Sequence, residues 1–144
     1  MKKKIGSGSV FEKQVRLLLE SQGWEVDPQY ELGFRLGKRS RYRVDFVAGN
    51  ESGCILVSCK YQASMGSAMD KIPYEYMCLA DAVESNRLDA GYIVLFGSRI
   101  TKDFFLSKES IDELSKWMRL SEKIKILDFE AFQTTTLNGG LLVR

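Results

Sequence analysis

Along the chain the apolar residues change period several times, and each change predicts an element. Over residues 10–22, Val15, Leu18 and Leu19 form an apolar stripe at helical spacing. Ser9 and Glu12 stand at capping-box spacing before it and Gly23 follows it, so a helix is expected there. Three strands are expected next. Residues 24–34 are mixed in character, and residues 54–61 are a short apolar run. Between them, residues 41–48 alternate Tyr42, Val44 and Phe46 with Arg41, Arg43 and Asp45. Gly49-Asn50 and Ser52-Gly53 supply a turn that makes the second and third strands a hairpin.

A second helix is expected over 70–85, with Asp70 as its N-cap and Pro73 in the first turn, where a missing N–H costs nothing. Gly91 and Gly97 enclose Tyr-Ile-Val-Leu-Phe, which reads as a fully buried strand. A helix over 108–120, a strand over 123–127 and one or two helical turns over 129–134 complete the chain. The order α-β-β-β-α-β-α-β, a hairpin followed by βαβ crossovers, gives an α/β fold with a mixed sheet flanked by helices on both faces. At 144 residues, with no repeat or linker, one domain over 1–144 is expected.

Composition narrows the chemistry. The chain has no histidine, which removes Ser-His and Cys-His hydrolases, HNH-type nucleases and His-ligated zinc hydrolases together. Cys54, Cys59 and Cys78 are odd in number and lack CxxC spacing, so neither a disulfide framework nor a zinc site is expected. No apolar run approaches the ~20 residues of a membrane span, and Lys2, Lys3 and Lys4 have no apolar stretch behind them to make a signal peptide. A cytoplasmic protein without a membrane partner is expected. The net charge of +2 is uninformative, but Arg35, Lys38, Arg39, Arg41 and Arg43 crowd one segment after Glu31. Such a strip suits a phosphate-rich partner, or equally blunts a strand edge.

Asp45 and Lys60 lie on the two hairpin strands, each inside an apolar run, where they are expected to face one another across the ladder. Burying either without a partner is costly, so they form a structural ion pair or a site. Cys59 should point to the opposite packing face as a core residue, and Tyr74, Tyr76 and Trp117 read as packing.

Val44-Asp45-Phe46, a turn, and then Ile55-Leu-Val-Ser58-Cys59-Lys60-Tyr61-Gln62 resemble the hairpin of the PD-(D/E)XK nucleases. The αβββαβ order over residues 9 to 97 is similar to the restriction-endonuclease-like core of that superfamily. The resemblance implies that Asp45 binds Mg²⁺ and that Lys60 positions or activates the hydrolytic water. Two positions depart from the pattern. Arg43-Val44 replaces the proline before the aspartate, and Ser58 stands where a second acid is expected. A hydroxyl supplies neither the charge nor the Mg²⁺ affinity of a carboxylate. Some restriction endonucleases of the superfamily carry Ser-x-Lys here and take the acid from the following helix. Glu75 fits that role, lying among Ile72, Tyr76, Leu79 and Val83 on the inward stripe of the second helix. Glu12, in Ser-Val-Phe-Glu, resembles the first-helix glutamate that completes the metal cluster in many members, although a capping box also explains it. Gln62 resembles an active-site glutamine of several branches.

The resemblance thus implies a Mg²⁺-dependent endonuclease of double-stranded DNA, with Mn²⁺ able to substitute. Asp45, Glu75 and Glu12 are the expected metal ligands, and Lys60, Gln62 and Ser58 surround the reacting phosphate. Arg35, Lys38, Arg39, Arg41 and Arg43 are the expected DNA-backbone contacts. A short chain that cuts both strands implies a homodimer or homotetramer. Restriction, homing and junction-resolving roles all remain open. Two rivals stand beside this reading: a nuclease fold that has lost metal binding through Ser58 and serves as a DNA-binding or assembly module, and an end-dependent exonuclease.

Overall fold

The computed structural model describes residues 7–34, 37, 40–62, 68–97, 112, 115–116 and 119–142. The chain order is α1 (Ser7–Ser21), β1 (Glu25–Phe34), β2 (Arg41–Asn50), β3 (Gly53–Gln62), α2 (Ala68–Ser85), β4 (Ala90–Gly97), β5 (Ile124–Asp128) and α3 (Phe129–Leu137), ending in a 3₁₀ turn, Gly140–Leu142. The helix expected over 108–120 lies almost wholly outside the described residues.

Among the described residues the strands form one mixed sheet in the order β1-β2-β3-β4-β5. The first three run antiparallel, and β3, β4 and β5 run parallel. The β2–β3 turn is closed by the Asn50 side chain, which accepts from the backbone N–H of Ser52 at 2.8 Å and of Gly53 at 3.1 Å. The parallel pair β3–β4 is joined through α2, as a crossover requires.

The core has two layers, one on each face of the sheet. Val15 and Leu19 of α1 and Phe132 of α3 pack with Ile55, Val57, Tyr92 and Val94. On the other face Ile72, Tyr76, Leu79 and Val83 of α2 pack with Leu56, Ile93 and Leu95. Helix α2 lies so close to β4 that a Cβ at Gly91 would meet Leu79 Cγ at 3.0 Å and Ile124 Cδ1 at 2.8 Å, so only glycine fits there.

Helix starts differ from the sequence expectation. Helix α1 begins at Ser7, so Ser9 is already helical and cannot be its N-cap, and the Ser9–Glu12 capping box is not formed. Its end is as expected. Gly23 adopts φ +86° and the Trp24 N–H returns to the Leu19 carbonyl at 3.1 Å. Helix α2 begins at Ala68, which puts Asp70 in the first turn instead of at the cap and carries Pro73 into the helix interior. Proline there leaves the carbonyl one turn back without its usual N–H partner. The last helix, α3, starts where expected, with Asp128 capping it by accepting from the Ala131 N–H at 2.8 Å, and runs on past Thr134 to Leu137.

One strand breaks its own alternation. Tyr42, Val44, Phe46 and Ala48 are all buried, which strict alternation would explain by a single inward face. Tyr42 and Val44 instead belong to the layer under α2, and Phe46 and Ala48 to the layer under α1. The strand turns over between Val44 and Phe46, and the residue at that point is Asp45. The β2–β3 ladder also stops there, at Phe46 opposite Val57. On the β1 side, Gln29 between the paired residues Pro28 and Tyr30 adopts φ +54°.

Candidate active site

The parting of β2 from β3 creates the site. Beyond Phe46 and Val57 the two strands no longer exchange backbone hydrogen bonds, so buried N–H groups need other acceptors. Asp45 supplies one, its Oδ2 accepting from the Cys59 N–H at 2.6 Å. Its Oδ1 faces the Gln29 side chain, which donates from Nε2 at 3.4 Å. The left-handed backbone of Gln29, rare outside glycine, is what carries that amide toward Asp45.

Glu12 approaches the same carboxylate from α1. Freed from any capping duty, its side chain hydrogen-bonds with Asp45, and its pKa is pushed up to about 7. Burial is the largest cause and the neighbouring Asp45 charge the next, partly opposed by Lys60. Below neutral pH Glu12 therefore keeps its proton beside Asp45.

A second cluster lies around Glu75. This residue is 8% exposed on the sheet-facing side of α2. Its Oε1 accepts from the Tyr42 hydroxyl and from the Ser58 hydroxyl, each at 2.7 Å. Its Oε2 lies 3.7 Å from Lys60 Nζ. Lys60 is therefore paired with Glu75 among the described ion pairs, and does not face Asp45 across a ladder as the hairpin spacing suggested. The reason is the register: with Phe46 opposite Val57, a continued ladder would put Ser58 opposite Asp45 and Lys60 opposite Arg43, and the ladder ends before either pair. Burial and the Glu75 charge together raise the Tyr42 phenol far above its ordinary pKa, so it stays a donor.

The structure thus brings Asp45 and Glu12 together, and Glu75 together with Lys60 and Ser58. Among the described residues no three acidic or thiol side chains converge closely enough to hold an ion jointly. The donor set nevertheless fits a divalent metal. Glu12 and Asp45 offer hard oxygen ligands from two elements, and the repulsion that holds the Glu12 proton marks where a cation would be favourable. Cys59 packs against the layer under α1, with burial pushing its thiol well above the usual range, which leaves it a core residue.

The basic strip is only partly described. Arg43 and Arg41 both reach Glu31, at 2.9 Å and 3.7 Å. Arg35, Lys38, Arg39 and the Gln62 side chain lie outside the described residues. Tyr42 and Gln29 are the site residues the sequence reading missed. Tyr42 looked like a core aromatic, and its hydroxyl meets a carboxylate far along the chain. Nothing local marks Gln29 for a positive φ.

Residues 4–138 match the family model of a PD-(D/E)XK nuclease superfamily domain. No curated protein matches the chain. Among solved structures, an XisH family protein from Nostoc punctiforme superposes with a TM-score of 0.57 at 17% identity, over 85% of this chain and 93% of its own. At that identity the likeness concerns the fold. Pyrococcus furiosus SfsA in complex with Ca²⁺ matches at 18% identity with a TM-score of 0.45, over 84% of this chain and 55% of that one, too loosely to carry an argument.

Proposed function

Because the chain belongs to the PD-(D/E)XK nuclease superfamily, we propose that it is a divalent-metal-dependent endonuclease hydrolysing phosphodiester bonds of double-stranded DNA. Membership supports nuclease activity. The observation that carries the finer reading is the Glu12–Asp45 carboxyl pair, held at the point where β2 leaves β3. These two residues are the proposed metal ligands, with Glu75 as the third acid, Mg²⁺ the working ion and Mn²⁺ a substitute. The ion's contribution is to polarise the phosphate and lower the pKa of a bound water. Lys60, oriented by Glu75, holds the attacking water or the phosphate from the other side of the gap. Glu75 keeps its Oε2 turned toward that gap and is the acid nearest to the vacant role of position 58. Gln62, following Lys60 on β3, is assigned to the phosphate.

Arg35, Lys38, Arg39, Arg41 and Arg43 are assigned to the DNA backbone. Cutting both strands calls for two copies of the site, hence a homodimer or homotetramer. Restriction, homing or junction-resolving roles share this chemistry. No helix among the described residues is long and apolar enough to cross a membrane.

The test is cleavage of supercoiled plasmid with Mg²⁺, with Mn²⁺ and with a chelator. Metal-dependent nicking or linearisation that Asp45→Asn and Lys60→Ala each abolish, without loss of folding, supports the reading. Full activity in either variant would remove the mechanism. A second reading is favoured by one observation. Both Glu75 oxygens already have protein partners and Ser58 carries no charge, as expected of a binding module that no longer cuts. Tight DNA binding with no cleavage under any divalent ion would establish that alternative.

A further inference from the structure

A groove runs between α1 and the β1–β2 ribbon, outside the cluster around Glu75 and Lys60. Ser9, Glu12, Lys13, Arg16, Leu17 and Glu20 line its helical wall, and Pro28, Gln29, Arg43 and Phe46 its strand wall. The helical residues recur every three or four positions, so they make one face of α1. From Ser9 to Glu20 that face is about 16 Å long, the rise of about five base steps along one strand. One end of the groove opens on Glu12 and Gln29, both of which touch Asp45.

Its chemistry suits a polyanion. Lys13, Arg16 and Arg43 bring three cations to the walls, Arg43 also holding Glu31 through an exposed pair at 2.9 Å. Glu12 is spoken for by the Asp45 pair, and Glu20 is held by Arg16 across an exposed i,i+4 contact of 3.3 Å. Such exposed pairs are weak and exchange readily for a phosphate oxygen. Phe46, the one aromatic ring in the lining among the described residues, is 4% exposed, so the described walls offer no platform on which a base could stack. The match is therefore to sugar–phosphate backbone and not to splayed bases.

We propose that this groove holds the backbone of the DNA strand flanking the scissile phosphate, with Lys13 and Arg16 as its phosphate contacts. The inference rests on the nucleic-acid reading of the site. It adds the outer face of α1 to the substrate contacts assigned to the 35–43 segment.

The experiment is anisotropy of a labelled duplex of about 20 base pairs, titrated with the whole chain in Ca²⁺ over a range of salt. Lys13→Ala and Arg16→Ala are each expected to weaken binding several-fold and to lower the slope of log Kd against log salt by about one. Lys125→Ala, on β5 at the far edge of the sheet, is expected to change neither. Because Lys13 is exposed and Arg16 sits at the surface, thermal melts of all three should match the parent. If the Lys13→Ala/Arg16→Ala double variant binds with the parental slope, the groove is not the path and the nuclease reading still stands. If the parent chain binds no duplex at all, the reading beneath the proposal fails and the groove fails with it.

Discussion

Ser58 donates its hydroxyl to Glu75 Oε1 at 2.7 Å. The strand position that carries no acid is thus in direct contact with an acid delivered from the next helix. Tyr42 donates to the same oxygen from β2, and Lys60 faces the other. Three strand residues therefore fix one carboxylate whose backbone belongs to α2. An ionised carboxylate only accepts hydrogen bonds, and each of these partners is a donor. Position 58 is suited to holding Glu75 in place because it is a short hydroxyl, where a second carboxylate would repel it.

If that cluster acts as a unit, Tyr42→Phe should cost about 1.5–3 kcal/mol, the range for a hydrogen bond to a charged partner. Urea denaturation measures the loss. Tyr42 does not touch the groove or the Glu12–Asp45 pair by any hydrogen bond among the described residues, so Kd for DNA should hold while kcat falls. Glu75→Ala removes the acceptor of two hydroxyls and the partner of Lys60, and should destabilise at least as much. A double-mutant cycle of Tyr42→Phe with Glu75→Ala should be strongly non-additive. Additive costs would mean that the bond contributes nothing.

The Glu12–Asp45 pair predicts how the metal-free protein responds to pH. Glu12 holds its proton up to about 7 when folded, against an ordinary value of 4.5. Between those limits the folded chain binds a proton that the unfolded chain has released. This stabilisation is complete below pH 4.5 and is lost as pH rises through 7. In chelator the melting temperature should therefore fall from pH 5 to pH 8, and Glu12→Gln should flatten that fall. A divalent ion must displace the Glu12 proton, so its affinity should climb with pH and level off above about 7. Calorimetry in buffers of different ionisation heat would count the proton released. A flat melting profile in the parent chain would mean that folding does not raise the Glu12 carboxyl.

Local pattern predicted the elements well where local forces decide them. The Asn50 turn follows from a side chain acting on its own backbone, the stop at Gly23 from a positive φ, and the strand between Gly91 and Gly97 from an unbroken apolar run. Helix starts were harder, because a capping signature is a few residue types at a spacing and arises by chance. Ser9 with Glu12 and Asp70 before Pro73 both had the right letters, yet the helices begin two residues earlier. For Glu12 that difference matters, since the side chain turns to Asp45 instead of to a cap.

For the candidate site, the sequence offered residues but not their arrangement. Asp45, Lys60, Glu75 and Glu12 all lie at the parting of the strands, but in two clusters instead of one. The division follows from β2 turning over at Asp45 and from the positive φ of Gln29. Neither has a signal in a sequence whose even positions from 42 to 48 remain apolar throughout.

The contact between Ser58 and Glu75 makes one exchange informative. Ser58 is 1% exposed and Glu75 8%, so a glutamate placed at 58 has no route to solvent. In Ser58→Glu two carboxyl groups would crowd the single ammonium of Lys60, and one would have to remain protonated. Overpacking adds to this, and a loss of about 3 kcal/mol or more is expected. Adding Glu75→Ser removes the second carboxylate, returns the lost volume and leaves one acid beside Lys60. The double variant should therefore be more stable than the sum of its single changes by about 2 kcal/mol. It should also recover metal-dependent cleavage relative to Glu75→Ser alone, because the acid then stands on the strand, at the position the family pattern gives it. Chemical denaturation reads the first effect and plasmid nicking the second. If stability recovers without cleavage, the acid serves to hold Lys60 and Tyr42 and plays no direct part at the metal. If neither recovers, positions 58 and 75 do not share one role, and the metal chemistry belongs to Glu12 and Asp45 alone.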